Sequence, residues 1–186
     1  MCRGGIFLKD LSLDNKATDM RGSLSPSKAE ITGLFRDLLA DGLSLRVKVT
    51  GRSMAPFLRG GEVVTIRKVP RKDLRVGDLI FVGGETGMPL LHRLVRKKRA
   101  GVDKYIFQTR GDAVRTLDRP VGHDEVLGRV CRIERFHPVS GFRNMDMNSP
   151  FQRGINCLHA YINLFVSLCN GAGLRLLGQK ILAGFL

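Results

Sequence analysis

From Leu43 to Ile133 the chain is a succession of short apolar runs broken by glycine-bearing turns, and this pattern limits its fold more than any other feature. Leu43, Leu45, Val47 and Val49 alternate with Ser44, Arg46, Lys48 and Thr50, the period of a half-buried strand. Residues 63–66, 79–82, 90–95, 105–108 and 127–133 read as further strands. Gly60-Gly61, Gly77-Asp78, Gly83-Gly84 and Gly101 supply turns between them. Several short strands joined in this way predict a mainly β fold, a coiled sheet or partly closed barrel. There is no internal repeat.

Helical signals flank this region. Pro26 blocks helix before it, and Ser27-x-x-Glu30 is a capping-box pattern. Ile31, Leu34, Phe35, Leu38 and Leu39 then recur on one face, with Gly42 as the stop. Glu30, Arg36, Asp37 and Asp41 keep this amphipathic helix from spanning a bilayer. Residues 137–154 are rich in Gly, Asn, Ser and Pro and read as a linker.

Beyond the linker, residues 154–174 carry no formal charge and are bracketed by Arg153 and Arg175. Asn156, His159, Asn163, Ser167 and Asn170 form one polar stripe on a helix, with Leu158, Tyr161, Ile162, Phe165, Val166 and Cys169 on the wider apolar side. Three placements follow: a groove-packed amphipathic helix, a helix in the membrane interface helped by Arg175 and Lys180, or a spanning helix with its stripe against a partner. The expected organisation is an N-terminal tail (1–26), a central domain (27–136), the linker (137–154) and a C-terminal helical, membrane-associated segment (155–186). If that last segment is no anchor, a cytoplasmic location is expected.

A chain of 186 residues with 43% hydrophobic content supports one cored domain. The formal charge of +14 points to nucleic acid, an anionic membrane surface or solubility. No helix-turn-helix, RNA-binding aromatic motif or zinc spacing is present, so a membrane surface ranks above nucleic acid as partner. Cys2, Cys131, Cys157 and Cys169 form no CxxC pair and read as neither a disulfide framework nor a metal site. No metal or cofactor is expected.

Within the strand-rich region lies a chemically suggestive order of residues. Gly51-Arg52-Ser53-Met54-Ala55-Pro56-Phe57-Leu58 is followed, 39 positions after Ser53, by His92 within Leu91-His92-Arg93. Thr109-Arg110-Gly111-Asp112 comes next, and then Asp118. A serine hydroxyl needs an adjacent base to act as a nucleophile, and that base needs an acid to hold its tautomer. Taken singly, Ser53 fits a turn, His92 a strand position and Gly111-Asp112 a turn.

Ser53-Met54-x-Pro56-x-Leu58, Gly61-Glu62-x-Val64, Val76-Gly77-Asp78-Leu79-Ile80-Phe81, His92-Arg93, Gly111-Asp112 and Gly128-Arg129-Val130 together resemble the catalytic domain of type I signal peptidases, over roughly half the chain. A histidine where common bacterial members have a lysine is similar to the endoplasmic-reticulum and archaeal branch. The resemblance implies a coiled β fold and a serine endopeptidase that cleaves precursor or leader peptides after small residues. Ser53 would be the nucleophile and His92 the base. Asp112 ranks first as the orienting acid, with Asp118 as the alternative acid or the partner of a nearby arginine. Met54 would help form the substrate groove, and Pro56 would shape the turn beside it.

Two departures stand against the family pattern. Gly51 occupies the position where many bacterial relatives supply a side-chain oxyanion donor, and Met1 to Met20 carries Lys9, Asp10, Asp14, Lys16 and Asp19 where a spanning helix is usual. A lysine-base self-cleaving peptidase fits poorly, because Lys97 and Lys98 lie on an expected exposed turn. The competing class is a non-catalytic peptide-binding or membrane-associated protein on the same fold.

Overall fold

The computed structural model describes residues 6–7, 27–83, 89–137 and 141–168. In chain order the elements are β1 (Ile6–Phe7), α1 (Lys28–Ala40), β2 (Leu45–Lys48), β3 (Val63–Arg67), a 3-10 turn (Arg71–Asp73), β4 (Leu79–Val82), β5 (Leu90–Arg99), β6 (Tyr105–Arg110), β7 (Val121–Gly122), β8 (Val126–His137), β9 (Gly141–Asp146) and α2 (Pro150–Leu168). The strands form one curled, half-barrel sheet in the order β1-β2-β3-β8-β4-β5-β6-β7, with β9 paired to β8. All pairings are antiparallel except β1 with β2.

Strand β8 ties the sheet together because its length lets it serve several neighbours. Residues 129–134 pair with β3, residues 126–129 pair with β4, and residues 132–137 pair with β9. Gly128 sits at the crowded crossing, where a Cβ would lie 2.8 Å from the Arg67 carbonyl oxygen.

The apolar run of β4 is buried along its whole length because the sheet has a core on each face. Leu79 and Phe81 join Ile31, Phe35 and Leu39 of α1, with Leu45, Val64, Ile66, Val130 and Ile133. Ile80 and Val82 join Leu74, Leu94, Phe107, Val121 and Val126 on the other face. The two-residue strand period makes this division. Helix α1 is held at its start by the Ser27 hydroxyl, which accepts from the Glu30 N–H, while the Glu30 carboxylate accepts from the Ser27 N–H. Phe35 of α1 meets Phe81 with ring centroids 5.9 Å apart.

The segment expected as a linker, 137–154, is corrected by β9 and the start of α2. Residues 141–146 complete a hairpin with the end of β8, from Arg132↔Asp146 to His137↔Gly141. The Ser149 hydroxyl then accepts from the Gln152 N–H at 3.2 Å, and Pro150 opens the helix. A polar cap followed by proline at the first helical position is a helix start rather than a loop. The expected C-terminal helix therefore begins at Pro150, before residue 155, and residues 169–186 lie outside the described residues, as does the tail apart from Ile6 and Phe7. No helix among the described residues is long and apolar enough to cross a membrane.

Candidate active site

Ser53 stands in a tight turn between β2 and β3. The Ala55 N–H donates to the Arg52 carbonyl at 3.0 Å and the Leu58 N–H to the Met54 carbonyl at 2.9 Å, so the turn is internally braced. Met54 and Leu58 are buried in the core beneath it. These anchors leave Ser53 half-buried at the surface of the turn.

A neighbouring loop presses on the back of this turn. The Ala113 N–H donates to the Ser53 carbonyl at 2.8 Å. A Cβ on Gly111 would lie 2.6 Å from that carbonyl oxygen and 3.1 Å from the Ser53 Cβ, so only glycine permits the approach.

On β5, His92 and Arg93 point to opposite sides, as successive strand residues must. The His92 Nε2 lies 3.0 Å from Ser53 Oγ, and its Nδ1 lies 2.7 Å from Asp118 Oδ2. The side chains of His92 and Asp118 are 9% and 25% exposed, so water has limited access to the pair. Asp118 also accepts from the Thr109 hydroxyl at 2.7 Å. Its backbone is fixed by a bond from its own N–H to the Thr109 carbonyl at 2.9 Å and by the Gln108 side chain at 3.1 Å.

Burial pushes the Asp118 carboxyl up, but the hydrogen bonds from His92 and Thr109 and the nearby imidazole outweigh it, leaving the pKa below the ordinary carboxylate value. The ionised carboxylate only accepts, so Nδ1 carries the proton and Nε2 is left to accept from the Ser53 O–H. The order hydroxyl, imidazole, carboxylate is one that can activate a nucleophile and stabilise the imidazolium formed.

Asp112, ranked first as the acid from the sequence, does not reach His92. Its two oxygens accept from Arg93 Nε at 2.8 Å and Nη2 at 2.7 Å, and Arg93 Nη1 donates to the Gly77 carbonyl at 3.0 Å. The pair is almost fully buried, with 0% and 2% side-chain exposure. The reason is the strand alternation at 92–93: the face that carries Arg93 is the face Asp112 can reach. Asp112 therefore anchors the Gly111–Ala113 loop that supports Ser53, and Asp118 takes the place beside the histidine.

In front of the Ser53–His92 pair lies a groove of about 430 Å³. It is lined by Arg46–Thr50 of β2 and its extension, by Pro89–His92, and by core side chains that include Phe35 and Phe81. Met54 is among the residues that line this groove. Pro56 is not: it is exposed in the turn, joined to Ala55 by a cis peptide, and touches the groove only through the turn it shapes.

Sequence reasoning missed three supporting residues. Thr109 and Gln108 hold Asp118, and the alternation of β6 that turns Thr109 inward was the available signal. His159, placed by the sequence only on the polar stripe of the C-terminal helix, has Nδ1 3.6 Å from Asp112 Oδ2 and its ring 6.1 Å from that of Phe57. Only the packing of α2 brings it there. His123 faces Asp124 at the surface. Among the described residues no group of histidine, cysteine and acidic side chains could hold a metal ion.

Comparison of the chain with protein-family models, with curated proteins and with solved structures yields no match.

Proposed function

We propose that this chain is a serine endopeptidase of the kind its motifs resemble, the histidine-base branch of type I signal peptidases, acting on precursor or leader peptides. The observation that carries the reading is the unbroken chain from Ser53 Oγ through His92 to Asp118, with bonds of 3.0 and 2.7 Å, at the mouth of an apolar groove.

In this mechanism an extended peptide lies in the groove beside residues 46–50. Ser53 Oγ attacks the scissile carbonyl carbon as its proton passes to His92 Nε2, and the carbonyl π bond breaks to leave an oxyanion. The Ser53 backbone N–H is the natural donor to that oxyanion. The tetrahedral species collapses, the C–N bond breaks, and His92 returns the proton to the departing amine. Water, deprotonated by His92, then attacks the acyl carbon, the ester C–O bond breaks, and His92 returns the proton to Ser53 Oγ. Asp118 holds the imidazole in the competent tautomer and stabilises its positive charge. The preference for small side chains before the cut is what the resemblance to the family implies.

The test is cleavage, in detergent, of precursor peptides with small residues before the cut, by wild type, Ser53→Ala and His92→Ala. Cleavage that disappears in both variants supports the proposal. Cleavage that persists in Ser53→Ala, or a cellular function that Ser53→Ala leaves intact, would instead favour a peptide-binding role.

A further inference from the structure

Helix α2 is amphipathic in the wrong sense for a water-soluble surface. Its polar side faces the protein. Asn156 and Ala160 are buried, Arg153 Nη2 donates to the Asp73 carbonyl at 3.1 Å and to Asp78 Oδ2 at 3.2 Å, and His159 lies against Asp112. The backbone of Asn156–Cys157 rests so closely on Gly77 that a Cβ there would lie 2.6 Å from it. The other side carries Phe151, Ile155, Leu158, Tyr161, Ile162 and Phe165, and all six are exposed, Phe151 by 78%, Leu158 by 61% and Phe165 by 68%. At 100° per residue these six fall within one arc of about 120°. A continuous apolar stripe of this kind marks a contact surface.

We propose that this face is an in-plane membrane anchor, seated on an anionic bilayer surface. Charge selects that occupant. The sequence has no Asp or Glu after Asp146, and its only charged residues beyond that point are Arg153, Arg175 and Lys180. The chain as a whole carries a net charge of +14. An apolar stripe on a segment without acidic residues, in a chain of net positive charge, matches the negative headgroup layer and the acyl boundary beneath it. Tyr161 stands at one edge of the arc, where an amphipathic ring meets headgroups. The helix lies flat rather than crossing, because its polar side is latched to buried Asp78 and to Asp112. The same latch connects the seated helix to the Arg93–Asp112 pair that braces the Ser53 turn. Docking therefore holds the candidate active site at the bilayer surface. The anchor does not depend on the peptidase reading.

The chain contains no tryptophan, so Phe165→Trp installs a lone reporter on the stripe. The full-length variant is titrated with vesicles of neutral phosphatidylcholine and with vesicles containing roughly one-third phosphatidylglycerol. The expected result is a blue shift with the anionic vesicles and partition at least about tenfold stronger than to neutral ones. Lipids brominated near the headgroup end of the acyl chain quench the reporter more than lipids brominated near the methyl end. Adding Phe151→Ser and Leu158→Ser, with circular dichroism unchanged, lowers the partition by about tenfold or more. Ser53→Ala binds as wild type does, which separates this test from the peptidase one. No shift with anionic vesicles overturns the proposal, as does equal binding to neutral vesicles or retained binding in the serine variants. Strongest quenching at the methyl ends would mean a spanning helix, and a vesicle-free shift that grows with protein concentration would mean a second copy covers the face.

Discussion

Asp112 and Asp118 stand in one loop region, yet their surroundings assign them different work. Asp118 meets the imidazole and a hydroxyl, whereas Asp112 neutralises a buried guanidinium. Their replacements should therefore separate rate from stability. Asp118→Asn should lower the turnover number by roughly 10²- to 10⁴-fold, because the amide cannot hold the imidazole in the accepting tautomer. Asp112→Ala leaves Arg93 buried without its counter-charge and should cost about 3–5 kcal/mol, read by thermal or denaturant unfolding. Asp118 also makes a pH prediction. Its folded pKa lies below its ordinary value of 3.8, so the charged form favours the fold above that value. This contribution is lost as pH falls through the depressed folded value, and the acid limb of the stability curve should be shallower in Asp118→Asn than in wild type.

Elements differ in how plainly their sequence declared them. Strands β2 to β6 and β8 were legible because alternation or a short apolar run survives wherever one or both faces are buried, as in β2 and β4, whereas the two-residue strands β1 and β7 are too short to show either. The Ser27–Glu30 cap marks the first turn of α1 in the same direct way. Residues 137–154 misled because glycine, asparagine and proline dominate the composition, while the pairing of β9 with β8 is a long-range fact. The Ser149-Pro150 step was the local signal that composition hid. Helix α2 showed its two faces in the sequence but not which one turns inward. That choice rests on Asp78, Arg93 and Asp112, which lie far away along the chain. Gly77→Ala tests the docking. Its φ of +99° and the 2.6 Å approach to α2 predict a loss of at least about 1 kcal/mol, with faster hydrogen exchange in α2 before the sheet is affected.

At the scale of the molecule, a curled sheet with a core on each face holds three separate pieces of chain in register: the turn after β2, the start of β5 and the loop after β6. Phe81 joins the α1 core to the groove, so Phe81→Ala should cost about 3–5 kcal/mol and weaken peptide binding together. Ser53 and His92 were candidates through the ordered motifs that resemble the signal-peptidase catalytic domain. The choice between the two aspartates was not legible there, because it follows from which face of β5 each loop position reaches.

The most direct test of the account is the turnover of one cleavable precursor peptide by wild type, Ser53→Ala, Asp118→Asn and Asp112→Asn, with the melting temperature of each measured alongside. The account predicts cleavage by wild type, none by Ser53→Ala, a severe loss of turnover at near-normal stability for Asp118→Asn, and a clear loss of stability for Asp112→Asn. Wild-type turnover in Asp118→Asn, paired with an inactive but fully stable Asp112→Asn, would contradict it.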